Sequence, residues 1–312
     1  MSQRMPVVFA GHGSPLNAIL DNKFSQGWTS EGASMPKPAA ILAISAHWYT
    51  RGTYVNDSAD PKQVYDMYGF PQELYDLKYP APGSPKLAAK VRQLLRDAGA
   101  SVESHDSGVI AGAAMTAGAS VESHDGNKIA SGAFDVQVDN SWGIDHGTWA
   151  VLHHMFPSAD IPVVQLSVNA KATPEEMFAI GEALRPLRYE GVLIFASGNI
   201  VHNLGMVDWN LDDSYNWAKE FDEKVRRLIV AGEYGQAINY KEISPDWSKA
   251  VPTPEHYLPL IYALGAINED DSVRVWNNFG ELGSIMMTSY TFADVENEDD
   301  ELDAILHNGF NK

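Results

Sequence analysis

The feature that most restricts the fold is a set of four short, unbroken apolar runs at 5–10 (MPVVFA), 40–45 (AILAIS), 161–168 (IPVVQLSV) and 191–196 (GVLIFA). Successive side chains of a strand point to opposite faces, so a strand with one wet face alternates apolar and polar residues. A strand that is apolar throughout must be covered on both faces, as in a parallel or mixed sheet between helices. Helical patterns separate the runs, and this alternation predicts an α/β fold with a central mixed β-sheet flanked by helices. No Gly/Ser linker divides the 312 residues, a length that one large domain accommodates. A single domain is expected.

The helix candidates carry start and stop signals. Residues 84–98 open with Ser84 as N-cap and Pro85 at the first helical position, and Gly99 stands just past the predicted end. Residues 173–187 begin Thr-Pro-Glu and should stop near Pro186; further helices are expected over 214–231 and 253–264. Two stretches break the pattern. The segment AGASVESHD at 98–106 recurs at 117–125, and two copies are too few for a solenoid, so a local duplication forming a surface hairpin is expected. Residues 294–303 (DVENEDDELD) hold seven acids in ten positions and read as a solvated tail.

There is no cysteine, which removes disulfides, thiolate zinc sites, iron–sulfur clusters and cysteine nucleophiles together. Any metal must be held by His, Asp or Glu. The net charge of −19 argues against a nucleic-acid or anionic-membrane partner, since both demand a basic surface. The tail supplies −7 of that charge, leaving −12 for the rest of the chain. The first residues lack the apolar core of a signal peptide, and no apolar run approaches the ~18–20 residues that span a bilayer. A cytoplasmic protein is the expectation. Phosphate-binding glycine loops and the GxSxG nucleophile elbow are absent, and Ser197 in ASGN lacks the elbow's glycine pattern.

The ten histidines are the most informative residues. Three follow apolar runs in turns of small residues: His12 in GHGSP, His47 in SAHW and His202 in SGNIVHN. Ligands of α/β sheets bind outside the carboxyl ends of the strands, so these imidazoles are placed to converge on one metal. Gly11 and Gly13 would let the chain turn sharply beside His12. His256, in PTPEHY, is expected in a first helical turn capped by Thr253, where the macrodipole would keep its imidazole neutral; packing against Tyr257 is the alternative. His146, in GIDHG, is expected in a loop before the helix WAVLHHMF. There the adjacent carboxylate would raise its pKa toward acid–base work, or it is an ordinary loop histidine. His153 and His154 read as packed or solvated, and 65–79, rich in aromatics, reads as a loop able to wall an aromatic ligand.

At these residues the chain resembles the class III extradiol ring-cleavage dioxygenases, in particular the 4,5-DOPA dioxygenase-like branch. The matching segments are GHGSP (11–15), SAHW (45–48), YDMYGFPQELYDLKYPAPGSP (65–85), GIDHG (143–147), ADIPVVQLSV (159–168), ASGNIVHNL (196–204) and PTPEHYLPLIYALGA (252–266). They run in family order over nearly the whole chain. The resemblance implies a metal site at the C-terminal ends of the strands of a single α/β domain. His12 and His47 fall on metal-ligand positions, His202 and His256 on two further pocket positions that ligate the metal or adjoin it, and His146 on the active-site histidine of GxDHG. It also implies Fe(II) as the working metal and, as reaction, insertion of O₂ into a catechol such as DOPA to give a ring-opened semialdehyde. His146 and His202 are then the acid–base candidates. Many extradiol sites use two His and one carboxylate; here the third position falls on His256, beside Glu255, and an all-His site also suits Zn²⁺. Two departures stand out: the repeat fills some forty residues (about 98–141) where the family connection is short, and residues 294–312 extend past the family's last strand. A catalytic domain over 1–293 is expected. A zinc-dependent hydrolase-type enzyme and a non-catalytic metal-binding protein are the alternatives that the same histidines allow.

Overall fold

The computed structural model describes residues 4–106 and 131–294. Ten strands are present among them: β1 (Val7–Gly11), β2 (Ala40–Thr50), β3 (Thr53–Val55), β4 (Val136–Val138), β5 (Val163–Asn169), β6 (Val192–Gly198), β7 (Asp271–Trp276), β8 (Gly280–Glu281), β9 (Ile285–Met286) and β10 (Ser289–Asp294). Eight form one sheet in the order β4-β3-β5-β2-β6-β1-β10-β7, and β8 pairs with β9 apart from it. The four apolar runs become its centre, β5-β2-β6-β1, mutually parallel. Antiparallel pairings (β10 on β1, β7 on β10, β3 on β5) make the sheet mixed.

Among the described residues nine helices accompany the sheet: α1 (Lys23–Ser34), α2 (Gln72–Asp76), α3 (Pro85–Asp106), α4 (His146–Met155), α5 (Pro174–Leu184), α6 (Asn216–Val230), α7 (Tyr234–Ile238), α8 (Trp247–Ala250) and α9 (Leu258–Ala266). The central strands feed two cores alternately. Val7, Phe9, Leu42 and Ile44 pack with α3, α5, α6 and α9 on one face. Val8, Ala10, Ile41 and Ala43 pack with α1 and α4 on the other. That two-sided burial is why the runs carry no polar alternation.

Helix boundaries follow the caps in some places and depart from them in others. Thr173 caps α5 in a reciprocal capping box with Glu176, and α5 ends at Leu184, two residues before Pro186. Helix α3 does not stop at Gly99; it continues to Asp106. A glycine ends a helix by entering the left-handed region, and Gly99 is not among the residues with positive φ. The first copy of the repeat is therefore the last part of α3, while the second copy lies outside the described residues. Within the stretch 98–141, β4 pairs in parallel with β3, and Phe134 and Val136 enter the core. At the other edge Asp271, its side chain fully buried, takes both ends of the Arg188 guanidinium (2.6 and 2.9 Å) and a 3.0 Å bond from Arg4, pinning β7 to the segment before β6. Among the described residues no helix is long and apolar enough to cross a membrane.

Candidate active site

Five imidazoles gather where β1, β2 and β6 end. His12 is the first residue past β1, and its N–H donates to the carbonyl of Gly198 at the end of β6 (3.2 Å). Gly13 behind it has φ 55°, left-handed backbone that favours glycine. His47 lies inside β2 rather than after it, where the register against β5 slips between Ser45 and Tyr49. His202 lies beyond β6 and donates its N–H to Ala250. His146 is the first residue of α4, not a loop residue before it; Asp145 is the N-cap, accepting from the Thr148 N–H. His256 precedes α9, which starts at Leu258, and Thr253 makes no cap: its hydroxyl donates to Glu255 instead (2.7 Å). The helix dipole thus does not set the state of His256. Its place is fixed by its carbonyl, which accepts the N–H of Asn199 just past β6 (2.8 Å).

The imidazoles touch. Ring centroids lie 4.9 Å apart for His12 and His47, 5.2 Å for His12 and His256, 5.1 Å for His47 and His256, and 4.0 Å for His47 and His146. His202 stacks flat on His256, centroids 3.5 Å apart and planes 8° from parallel. Gly147 makes room: a Cβ there would stand 2.8 Å from Ser45 Oγ and 2.9 Å from His47 Cδ2. The remaining described pair, His153 and His154, sits at the far end of α4, where His154 Nε2 donates to the carbonyls of Asn17 and Ala18.

Each ring of the inner trio has its Nδ1 engaged from outside. His12 Nδ1 meets Ser197 Oγ at 3.0 Å. Because that hydroxyl gives its proton to the Gly147 carbonyl, it accepts from His12, so Nδ1 of His12 carries the hydrogen. His47 Nδ1 lies 3.0 Å from Asp66 Oδ2, and His256 Nδ1 lies 3.2 Å from Glu255 Oε1. A carboxylate only accepts, so these Nδ1 atoms also hold their protons, and the Nε2 lone pairs are left facing inward. Nε2 of His12 and Nε2 of His47 are 3.0 Å apart, and buried Nε2 of His256 has no partner. Two facing lone pairs at that distance repel unless a proton on one ring or a metal ion lies between them. Two nitrogens each about 2.0–2.1 Å from one ion stand roughly 3–3.4 Å apart, so the spacing fits a shared metal. The carboxylate or hydroxyl behind each imidazole is the support that metal-bound histidines use.

The electrostatics agree. Burial first, then the neighbouring imidazoles, holds His12 and His256 well below the ordinary histidine range, the neutral form that ligates. Burial also pushes His202 down to about 4. His47 moves the other way: burial opposes its charge, but Asp66 at contact distance, with Asp145 and Glu255 farther off, raises it. His146 is lowered by burial and His47 against the pull of Asp66, which corrects the expectation of a raised value. The carboxylate that meets it is Asp66, whose Oδ1 lies 3.0 Å from Nδ1 and accepts the backbone N–H of His146 (3.0 Å). Asp145 is turned away, bonded to Ser45, Gln165 and Trp142. Burial works against ionising Asp66, yet its two histidine contacts keep it ionised.

Three residues here had escaped the sequence reading: Asp66, Ser197 and the part played by Glu255. Asp66 lies in the aromatic segment 65–79, where Tyr65 and Tyr75 pack at the edge of the core and α2 interrupts the loop. No spacing or periodicity ties it to His47 or His146; only the folded loop does.

The comparisons with known proteins bear directly on this geometry. Residues 8–295 match the family described as the catalytic LigB subunit of aromatic ring-opening dioxygenase. This chain belongs to that family. It is an extradiol ring-cleaving dioxygenase, an oxidoreductase dependent on a metal. A protein of Escherichia coli K12 named 4,5-DOPA dioxygenase extradiol is 39% identical over 92% of this chain and 94% of its own length. Beet (Beta vulgaris) has a protein of the same name, 36% identical over 91% of this chain and 95% of its own. A crystal structure of an uncharacterized Escherichia coli K12 protein superposes with a TM-score of 0.70 at 36% identity, covering 92% of this chain and 99% of that one.

Proposed function

We propose that this chain opens the ring of a substituted catechol such as DOPA, adding both atoms of O₂ to give a ring-opened semialdehyde, with its metal held by His12, His47 and His256. The observation that carries the reading is the inward-facing trio of Nε2 atoms, two of them 3.0 Å apart, in a chain of the ring-opening family. The relatives named for DOPA support the substrate class. Fe(II) at these nitrogens would supply the electron exchange between catechol and O₂ that closed-shell Zn²⁺ cannot, although the donor set accepts either ion.

The chain's own groups handle protons. His202 stacks on His256 and stands outside the His12, His47 and His256 group, so we assign it the acid–base role. With its pKa near 4 it is neutral at pH 7 and able to take a catechol proton. His146 has its Nδ1 on Asp66, so exchange with substrate falls to Nε2, and the carboxylate stabilises the imidazolium formed when that nitrogen takes a proton. We assign the catalytic domain to 1–293 and the acidic tail to 294–312.

His146→Ala and His12→Ala separate the roles. A general acid–base group contributes about 10²–10⁴-fold, so His146→Ala should lose that much turnover while binding metal as the wild type does. His12→Ala should lose the metal. Wild-type turnover in His146→Ala would overturn its role.

A further inference from the structure

Four consecutive backbone N–H groups around His12 are each taken by a partner distant in sequence. Gly11 donates to Ser289 Oγ (2.9 Å), His12 to the Gly198 carbonyl (3.2 Å), Gly13 to Asn199 Oδ1 (3.3 Å) and Ser14 to Glu281 Oε1 (2.7 Å). The last is the shortest of the four, and its acceptor is a carboxylate, the kind that holds geometry most firmly. The same oxygen lies close against the turn: a Cβ on Gly13 would stand 2.1 Å from it.

Glu281 owes its place to the β8–β9 hairpin outside the main sheet. It pairs with Ile285 across a short turn in which Leu282 and Gly283 take left-handed backbone, φ 53° and 78°. That conformation is costly for leucine and persists only where the surroundings impose it. Here the N–H groups of both residues are held, by the carbonyls of Leu211 (2.9 Å) and Asp213 (2.8 Å). The turn, and the direction in which Glu281 leaves it, is thereby fixed.

Glu281 is buried, and among the described residues no Lys or Arg forms an ion pair with it. A buried carboxylate without a cation is costly unless hydrogen bonds satisfy it. Its other bonds come from the Asn17 amide, 3.3 Å to Oε1 and 3.1 Å to Oε2. Asn17 Oδ1 accepts from Asn22 (2.7 Å), and Asn22 Oδ1 caps α1 at the N–H groups of Phe24 and Ser25 (2.9 and 3.0 Å). Neither amide can turn over without losing a bond. The carboxylate therefore has two separate attachments, one to the His12 turn and one to the start of α1.

We infer that Glu281 is a positioning residue for the metal: by holding the Ser14 N–H it sets the turn that aims His12 at the position shared with His47 and His256. This inference rests on the reading of His12 as a metal ligand and adds to it the group that holds that ligand in place.

Binding of Co(II), whose visible absorption follows the number and arrangement of its ligands, tests the role when measured against a competing chelator on the full-length protein. Glu281→Asp keeps the charge but draws the carboxylate back from Ser14 by one methylene. It should weaken Co(II) binding by about tenfold or more, the size usual for supports of metal-bound histidines, and alter the spectrum. Glu281→Gln loses the charge but keeps an acceptor for the Ser14 N–H, so the mismatch falls on Asn17 instead; affinity should stay within about threefold of wild type, with the wild-type spectrum. Asn22→Ala uncaps α1 and releases Asn17 without touching the Ser14 bond, and should likewise stay within about threefold. Wild-type affinity in Glu281→Asp, or a loss in Glu281→Gln or Asn22→Ala as large as in Glu281→Asp, overturns the role. His12→Ala run beside them keeps the two readings apart. Wild-type Co(II) binding there refutes His12 as a ligand, whereas its loss there together with wild-type binding in Glu281→Asp refutes Glu281 alone.

Discussion

Asp66→Asn is the most informative single substitution because one carboxylate serves two imidazoles. Its oxygens lie 3.0 Å from Nδ1 of His47 and 3.0 Å from Nδ1 of His146. Both nitrogens face it at ion-pair distance. Asparagine keeps the shape but offers one acceptor and one NH₂, so one imidazole keeps a partner and the other meets a donor with its own donor. That ring must turn or shift its proton to Nε2. A hydrogen bond to a charged group contributes about 1.5–3 kcal/mol, so the loss corresponds to roughly 10–150-fold in equilibrium. If His47 loses its partner, metal affinity should fall by about that factor, the size usual for supports of metal-bound histidines. If His146 loses it, turnover falls while metal stays. Competitive chelator titration and kcat on the metal-saturated variant distinguish the two. Ser197→Ala removes a neutral bond at His12, worth about 0.5–1.5 kcal/mol, and should weaken metal binding by only about 2–12-fold. Wild-type metal affinity and wild-type kcat together in Asp66→Asn would refute the reasoning.

Two further outcomes follow from buried groups. Asp222, on the buried face of α6, accepts from Thr288 at 2.8 Å and leaves Oδ1 unpaired, and burial pushes its pKa from 3.8 up to about 7. A raised carboxyl favours the folded state's neutral form, so this stability is present below pH ~4 and lost as pH rises to about 7; Asp222→Asn should therefore stabilise, by about 2–3 kcal/mol more at pH 8 than at pH 5 in urea unfolding, and an equal gain at both would contradict it. Gly147→Ala places a methyl 2.8 Å from Ser45 Oγ and 2.9 Å from His47 Cδ2, so it should lower metal content and activity while far-ultraviolet circular dichroism stays that of wild type; full activity would show that the cluster is looser than described.

The centre of the fold was legible because burial on both faces leaves a direct mark: residues 40–45 and 191–196 are apolar at every position but Ser45 and Gly191, and they became neighbours β2 and β6. Short edge strands such as β3 and β4, three residues each, leave no comparable mark. The placing of His12 and His202 just past β1 and β6 followed from where strands end, a rule about topology, whereas His47 stands inside β2 where its register slips. Local rules about caps did less well around the site. Thr253 and Gly99 each have the residue type of a helix boundary, yet Thr253 bonds Glu255 and Gly99 stays inside α3, because a cap depends on backbone conformation and not on residue type alone. Asp66 was beyond reach for another reason: it acts through a loop whose path is set by Tyr65, Tyr75 and Tyr79 packing under α4. The absence of cysteine proved the most useful compositional fact, since it left histidine and carboxylate as the only strong donors, and the candidate metal-holding groups at this site are of those two kinds.

The central claim is that these imidazoles hold a metal at which a catechol meets O₂. Oxygen-electrode measurement on protein loaded anaerobically with Fe(II), with DOPA added, tests it most directly. One O₂ should be consumed per DOPA, with a yellow ring-opened semialdehyde appearing at the same rate and both lost in His12→Ala. Tight binding of the metal with no oxygen consumption on DOPA or any other catechol would contradict the account.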